Sequence, residues 1–291
     1  MQAAPVRYFC PRCNTLLKET EVPVDYVVST LVEECPACGS SLQDNLRKEL
    51  ASSQSPQAPP KFHTAYDFAA KLTFDIEQVD RLLTLSLGDR LCIVGGGRYA
   101  NLLITRLWVR ILMPHRHGGL EADSVVSVDA GNCTDVYQCV KFARQYYMDV
   151  RQVLRSIRVS RAFTAYQVAG LIIQTLHRVI ERFSPKVVTV FDLLGMFDDP
   201  QVEPDEAVYL INEMVAAIRK IPDDILVVVS LHNSKSKPNQ YDSLILPAFT
   251  KRIEISSSHS RNLKARMYSR QRLLGEASIS DADLRLIPSV T

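Results

Sequence analysis

The chain has 291 residues, 46% of them hydrophobic, which is enough to bury at least one large core. Its formal net charge is only +2, so the whole protein is not a polycation and any nucleic-acid site must be a local basic patch. No run of about 18 apolar residues predicts a transmembrane helix. The first residues also lack the apolar stretch of a signal peptide, so no membrane association is expected.

The first four of seven cysteines have the spacing of a structural zinc site. Cys10 and Cys13 form one C-x₂-C knuckle, and Cys35 and Cys38 form a second after 21 intervening residues. So short a segment cannot build a sufficient core, and a bound metal would supply most of its folding energy. We therefore predict a zinc ribbon over residues 1–46, with zinc as its cofactor. The other three cysteines are interpreted as core thiols: Cys92, Cys133 and Cys139.

The next segment, residues 47–61, is predicted to be a flexible linker, because Ser, Gln and Pro dominate it. A second domain over residues 62–291 follows, in which short apolar runs alternate with segments of helical spacing. The strands are predicted at 91–94, 124–128, 156–160, 186–191 and 225–231, and the helices at 99–113, 135–147, 165–183 and 205–221. This alternation indicates an α/β fold with a mostly parallel sheet covered on both faces. Residues 252–256 and 265–269 are expected to close one edge as an antiparallel pair.

A glycine run after the first of these strands has part of the pattern of a phosphate-binding loop. Such a loop reads G-x-x-x-x-G-K-[ST] between a strand and a helix, and Gly95 opens that spacing. Ala100, Asn101 and Leu102 then stand where the second Gly, the Lys and the hydroxyl residue belong. The Lys would reach the β- and γ-phosphates and the hydroxyl would hold Mg²⁺, and neither Asn nor Leu can do so. An ordinary strand-to-helix turn is the alternative interpretation.

The order of several segments resembles that of the archaeal RadA and eukaryotic RecA-type recombinases, over about residues 62–280. The matching segments are 62–68, 76–83, 88–95, 125–131, 153–167, 187–192, 249–255 and 263–267. The resemblance implies a RecA-like P-loop core behind the zinc ribbon. It also implies that 62–65 is an F-x-x-A polymerisation motif and that 187–192 is the Walker B strand.

The departures from the family pattern lie at the catalytic positions. Gly131 stands where the family has its catalytic Glu, while Asp192 keeps the Walker B acid or simply caps the strand end. The chain is therefore predicted not to hydrolyse ATP. Backbone N–H groups at a helix N-terminus can hold an anion, so residual nucleotide binding is left open. The degenerate nucleotide site comprises Gly95, Gly96, Gly97, Arg98 and Asp192.

Partner binding is expected at the F-x-x-A motif, through Phe62 and Ala65. The resemblance implies that these side chains enter pockets of a neighbouring core, while the main chain adds to its sheet edge. The neighbour is an active recombinase or a second copy of this chain. The alternative is that Phe62 packs on its own core.

DNA contacts are expected to be altered relative to the family. The first loop after the Walker B strand, residues 195–206, has five acids and no base, which repels phosphate. The second loop, 233–241, offers two lysines and a tyrosine for single or branched strands. The stretch 251–272 has seven basic residues against Glu254 alone. The predicted DNA-binding residues are Lys235, Lys237, Arg261, Lys264 and Arg266; scattered solubilising charge is the alternative.

These features together predict a non-catalytic recombinase paralogue, acting as an accessory or mediator in homologous recombination and DNA repair. Two other interpretations stay open: a DNA-dependent ATPase of the zinc-finger branch-migration type, and a regulatory scaffold of the clock-ATPase type. The expected location is the cytoplasmic nucleoid in a prokaryote or the nucleus in a eukaryote.

Overall fold

The computed structural model describes residues 6–9, 16–20, 37, 47–50, 71–231, 240–257 and 262–285. The chain divides into two units, Met1–Thr64 and Ala65–Thr291. No helix among the described residues is both long and apolar enough to span a bilayer.

The first unit contains a three-stranded antiparallel sheet in the order β2-β1-β3. Its strands are β1 (Val6–Phe9), β2 (Leu16–Thr20) and β3 (Arg47–Leu50). Strand β3 pairs with β1 along its whole length and occupies the first four residues of the segment that the sequence analysis assigned to a linker. Its sequence, Arg-Lys-Glu-Leu, is mostly charged and carries no strand signal, so only the pairing with β1 defines it.

The second unit is built on an eight-stranded sheet in the order β11-β10-β9-β4-β8-β7-β5-β6. Its strands are β4 (Arg90–Gly95), β5 (Val125–Asp129), β6 (Ile157–Arg161), β7 (Val187–Phe191), β8 (Leu226–Leu231), β9 (Lys251–Ser257), β10 (Asn262–Ser269) and β11 (Arg272–Ser280). Strands β4 to β9 pair in parallel, and β10 and β11 are antiparallel additions.

Helices follow most of the parallel strands. They are α1 (Glu77–Asp80), α2 (Arg98–Leu112), α3 (Val136–Gln145), α4 (Val150–Ser156), α5 (Ala165–Gly170), α6 (Leu176–Phe183), α7 (Pro204–Arg219), α8 (Asp242–Ile245) and α9 (Asp281–Arg285). A π-helical turn, Leu171–Thr175, joins α5 to α6, so the helix predicted over 165–183 is continuous but locally widened.

Alternate residues of the central strands supply two separate cores. On β4, Leu91 and Ile93 belong to the cluster that includes α2 and α3, whereas Cys92 and Val94 belong to the cluster that includes α5, α6 and α7. Side chains alternate between the two faces of a strand, so both faces of the sheet are covered. The predicted α/β class with a mostly parallel sheet covered by helices is confirmed.

The edge strand β11 was not predicted. Ala277 and Ile279 alternate inward, but Leu273 and Leu274 are both exposed and Gly275 interrupts the pattern. A Cβ at position 275 would lie 2.9 Å from Leu82 Cδ2, so a side chain there would require Leu82 to move. That requirement comes from a contact distant in sequence and leaves no local signal.

Candidate functional site

The glycine run connects the central strand β4 to helix α2 by a very short loop. Gly95, Gly96 and Gly97 all have positive φ, at 75°, 68° and 48°. A Cβ at Gly96 would also lie 2.7 Å from Ile255 Cγ2, so neither the backbone nor the space there accepts a side chain. Helix α2 begins at Arg98. Residues 98–102 are therefore helical. Only two residues, Gly96 and Gly97, lie between the strand and the helix, which leaves a very short loop to surround an anion.

Asn101 is held against the neighbouring strand β8. The hydroxyl of Ser230 donates to Asn101 Oδ1 at 3.2 Å, and the same hydroxyl accepts from the Asp192 backbone N–H at 2.9 Å. Ser230 is only 2% exposed. Sequence reasoning missed this residue, although a single polar side chain within the apolar run Leu226–Leu231 was an available signal. The hydrogen bonds tie the ends of β7 and β8 to helix α2.

Asp192 fills the space beside Gly131. A Cβ built at Gly131 would lie 2.5 Å from Asp192 Cβ and 2.7 Å from its Oδ2. On the other side, a Cβ at Gly195 would lie 2.4 Å from the same Oδ2. Asp192 itself has φ of +50°. Its side chain is thus enclosed between two glycines, and the position where the family pattern puts a Glu has no room for a side chain.

The carboxylate of Asp129 organises the loop after β5. It is fully buried and accepts from the backbone N–H groups of Cys133 (2.9 Å) and Thr134 (3.2 Å). The guanidinium of Arg161, at the end of β6, donates to the same carboxylate at 3.1 Å. Asp129 and Arg161 are opposite each other in the parallel register of β5 and β6. The pair therefore stabilises the loop and leaves both carboxylate oxygens engaged.

A cleft of about 360 Å³ lies at the carboxyl ends of β4, β5 and β7, and Gly97, Asn101 and Asp192 are among the residues that line it. The formal charges of its lining residues cancel, because two cations, Arg98 and Arg285, are matched by two anions, Asp135 and Asp192. Asp135 also caps helix α3 by accepting from the Gln138 N–H at 2.9 Å. Ligands of open parallel sheets bind at this edge, but a cleft without excess positive charge gives little attraction for a triphosphate.

The one cysteine in the cleft is not an activated nucleophile. Burial, helped by the nearby carboxylates of Asp129 and Asp192, raises the pKa of the Cys133 thiol to about 12. The thiol therefore stays protonated at neutral pH, and only a thiolate is a good nucleophile. Burial raises the pKa of Cys139 to about 12 as well, and that of Cys92 further. Cys92 and Cys139 are buried, as expected of core thiols.

Several predicted site residues lie outside the described residues. These are the zinc ligands Cys10, Cys13, Cys35 and Cys38, the docking residues Phe62 and Ala65, and the DNA-binding residues Lys235, Lys237 and Arg261. Within the described part of the chain, no group of three or more His, Cys, Asp or Glu side chains is arranged to hold a metal ion.

The two described members of the predicted DNA-binding set are ion-paired. Lys264 Nζ lies 2.6 Å and Arg266 Nε 2.7 Å from the carboxylate of Glu276 on β11. Lys251 likewise binds Asp89 at 2.6 Å, and Arg252 binds Glu254 at 3.0 Å. The excess of positive charge that the sequence shows over 251–272 is therefore partly neutralised by Glu276 and Asp89, which lie outside that stretch.

The geometry defines an α/β protein whose eight-stranded, mostly parallel sheet is compatible with a RecA-like core. In comparisons with known proteins, no family model matches the chain and no curated protein is significantly similar to it.

Proposed function

We propose that this protein is a non-catalytic relative of the RecA-type recombinases that acts as an accessory factor in homologous recombination and DNA repair. The observation that carries the proposal is the arrangement at the end of β4. Asn101 replaces the phosphate-binding Lys and bonds to Ser230, while Asp192 occupies the space beside Gly131. Position 101 therefore supplies no amine to hold a phosphate and position 131 no carboxylate to activate water, and phosphoryl transfer depends on both kinds of group.

The first test is ATP hydrolysis. We expect no steady-state hydrolysis above a no-enzyme blank, with or without single-stranded DNA, because no side chain at positions 101, 102 or 131 can stabilise the transition state. A coupled assay with an active DNA-dependent ATPase as positive control measures this. A DNA-stimulated rate that Asp192→Ala abolishes would instead favour the branch-migration ATPase.

DNA binding separates the accessory factor from a purely regulatory scaffold. Fluorescence anisotropy with labelled single-stranded and branched DNA, at two salt concentrations, is the direct measurement. Electrostatic binding falls steeply with salt. Absence of any salt-sensitive binding would favour the scaffold with protein partners only.

The zinc ribbon is part of the same proposal. Two C-x₂-C knuckles supply four thiolates, the ligand set of a closed tetrahedral structural site. Metal analysis of the purified full chain is expected to give one zinc per chain, lost in Cys10→Ser, with the second unit still folded. Substoichiometric zinc in protein purified without chelators would contradict the proposal.

The docking role of Phe62 and Ala65 needs an acceptor, and the described core of this chain offers one. Among the described residues, the edge strand β6 pairs only with β5. A largely apolar groove of about 360 Å³ lies between these two strands and the helix over 165–183. An open strand edge beside an apolar groove suits an extended segment that adds to a sheet. We therefore include self-association through this edge, beside binding to an active recombinase.

A further inference from the structure

The groove beside β6 contains a charged residue where an apolar one is expected. In the register of β5 and β6, Val126 is opposite Arg158 and Val128 is opposite Ser160. Val126 and Val128 belong to the apolar cluster that includes helices α5 and α6. Arg158 and Ser160 therefore face the same helix-covered side of the sheet. An arginine at such a position requires a specific interaction to offset its desolvation.

The contacts of Arg158 within the fold are incomplete. Its guanidinium carbon lies 4.2 Å from the centroid of the Phe183 ring, at the end of α6. Its Nη1 atom is buried and has no hydrogen-bond partner in the part of the chain that the structure describes. Arg158 is also the only charged side chain among the described residues that line the groove. A buried N–H without an acceptor is unfavourable, so an occupant that supplies an acceptor is favoured.

We propose that Arg158 is a carboxylate-recognising residue that selects the segment 64–68 of a second copy of this chain, bound antiparallel to β6 with Asp67 opposite Arg158. The inference rests on the proposed docking of the Phe62 motif and adds its register and its specificity. The single acid of the segment 60–70 is Asp67, two residues after Ala65. Arginine and carboxylate form strong charge-assisted hydrogen bonds, and opposite charges directly across a sheet stabilise the pairing.

The same register matches the neighbouring positions. With Asp67 opposite Arg158, Ala65 is opposite Ser160 on the groove side, so two small side chains meet. On the other side, Tyr66 is opposite Val159, whose side chain is 42% exposed. Aromatic and β-branched residues are a favourable cross-strand pair.

The register also brings Phe62 to an exposed aromatic residue. Phe62 falls opposite Phe163, just beyond the end of β6, and Phe163 is 62% exposed. Moving the segment by one residue would place Asp67 opposite Val159 or Ile157 and send every side chain to the other face. A parallel alignment would place Phe62 opposite Val153, which is buried in helix α4 and cannot be covered by a second chain. Of these alignments, only the antiparallel register satisfies the charge and covers both exposed apolar residues.

The test uses a fluorescent peptide of residues 60–70 and the full-length chain carrying Phe62→Ala, so that the chain's own segment does not compete. The unmodified peptide is expected to bind, and the Phe62→Ala peptide to bind at least about tenfold more weakly. The Asp67→Asn peptide is expected to lose about five- to tenfold. Arg158→Gln in the receptor should cause a similar loss and remove the difference between the unmodified and Asp67→Asn peptides.

Arg182→Gln is the matched control in the receptor. Arg182 also lies over the Phe183 ring, at 5.2 Å, but it is exposed and does not line the groove. It should change the affinity less than about twofold, because the proposed carboxylate contact is local. Melting temperatures establish that each receptor variant is folded, and the Asp67→Asn peptide gives a readout that needs no mutation of Arg158.

The outcomes separate the two proposals. Binding that needs Phe62 but is equally tight for the unmodified and Asp67→Asn peptides would overturn the role of Arg158 and leave the docking intact. Binding of no peptide would overturn docking on this edge as well. Rescue of Arg158→Glu by an Asp67→Lys peptide would establish the register directly.

Discussion

Replacing Arg106 by methionine is expected to lower the free energy of unfolding by about 3–5 kcal/mol, because removing one member of a buried charged network leaves the remaining groups without their hydrogen-bond partner. Arg106 lies on helix α2 and is fully buried. Its Nη1 donates to the Asp283 carbonyl at 2.7 Å, and its Nη2 donates to the Asp75 carbonyl at 2.6 Å. Methionine keeps the apolar part of the side chain and removes these bonds.

The expected loss is large because one guanidinium connects three segments that are distant in sequence. Arg106 Nε donates to the Tyr146 hydroxyl at 3.2 Å, and that hydroxyl donates to Asp75 Oδ2 at 2.9 Å. Burial raises the pKa of Tyr146, so the phenol remains a donor over the accessible pH range. Without Arg106, the carbonyls of residues 75 and 283 lose a charged donor, and unpaired buried groups carry their full desolvation cost.

Arg81→Met is the matched control. Arg81 follows directly after α1 and forms an ion pair with Glu77, the first residue of that helix. Both side chains are more than two-thirds exposed, at 74% and 71%. Exposed pairs of this kind contribute little to stability. Urea denaturation of the two variants beside the parent chain measures the difference. Equal, small changes in both would show that the Arg106 network does not stabilise the core.

The sheet was predictable where strands are buried on both faces. Runs such as 187–191 and 226–231 are almost entirely apolar, and this pattern is typical of central parallel strands. Strand β3 and strand β11 were not predictable, because the first is mostly charged and the second is broken by Gly275. Both are edge strands of their sheets, and edge strands are defined by a partner more than by their own composition.

For the candidate site, the sequence predicts which chemical groups are present or missing, but not how they are arranged. The sequence shows that Asn101 and Leu102 cannot perform the work of Lys and Ser, since that follows from side-chain chemistry. It does not show that Ser230 bonds to Asn101, or that α2 begins directly after Gly97, because those facts depend on how β8 and β4 lie side by side. Likewise, Lys264 and Arg266 look like free cations in the sequence until β11 places Glu276 beside them.

Gly131 is the clearest case in which structure changes the meaning of a residue. In the sequence it is interpreted as a lost catalytic Glu. In the fold its missing side chain is what makes room for Asp192, whose carboxylate is also enclosed by Gly195 on the other side. A movement of Asp192 away from one glycine therefore brings it closer to the other.

Gly131→Ala is accordingly expected to lower the free energy of unfolding by about 1–3 kcal/mol, the usual cost of overpacking. The added Cβ would start 2.5 Å from Asp192 Cβ, well inside van der Waals contact. Gly170→Ala is the matched control, since Gly170 lies in helix α5 and a Cβ there meets nothing within 4 Å. That change should raise stability by about 0.5–1 kcal/mol, because alanine is favoured over glycine in a helix.

The same geometry predicts that rebuilding the family motif does not restore catalysis. The variant Asn101→Lys, Leu102→Thr and Gly131→Glu should show no ATP hydrolysis and should be less stable than Gly131→Ala, because a glutamate adds a further methylene and a carboxylate to a space that Asp192 occupies. Urea denaturation of the single and triple variants, with the coupled ATPase assay on those that remain folded, measures both effects. Hydrolysis by a stable triple variant would mean that Asp192 can move to accommodate a glutamate at position 131. The lack of activity would then be explained by the side chains at positions 101, 102 and 131 alone, and not by the packing around them.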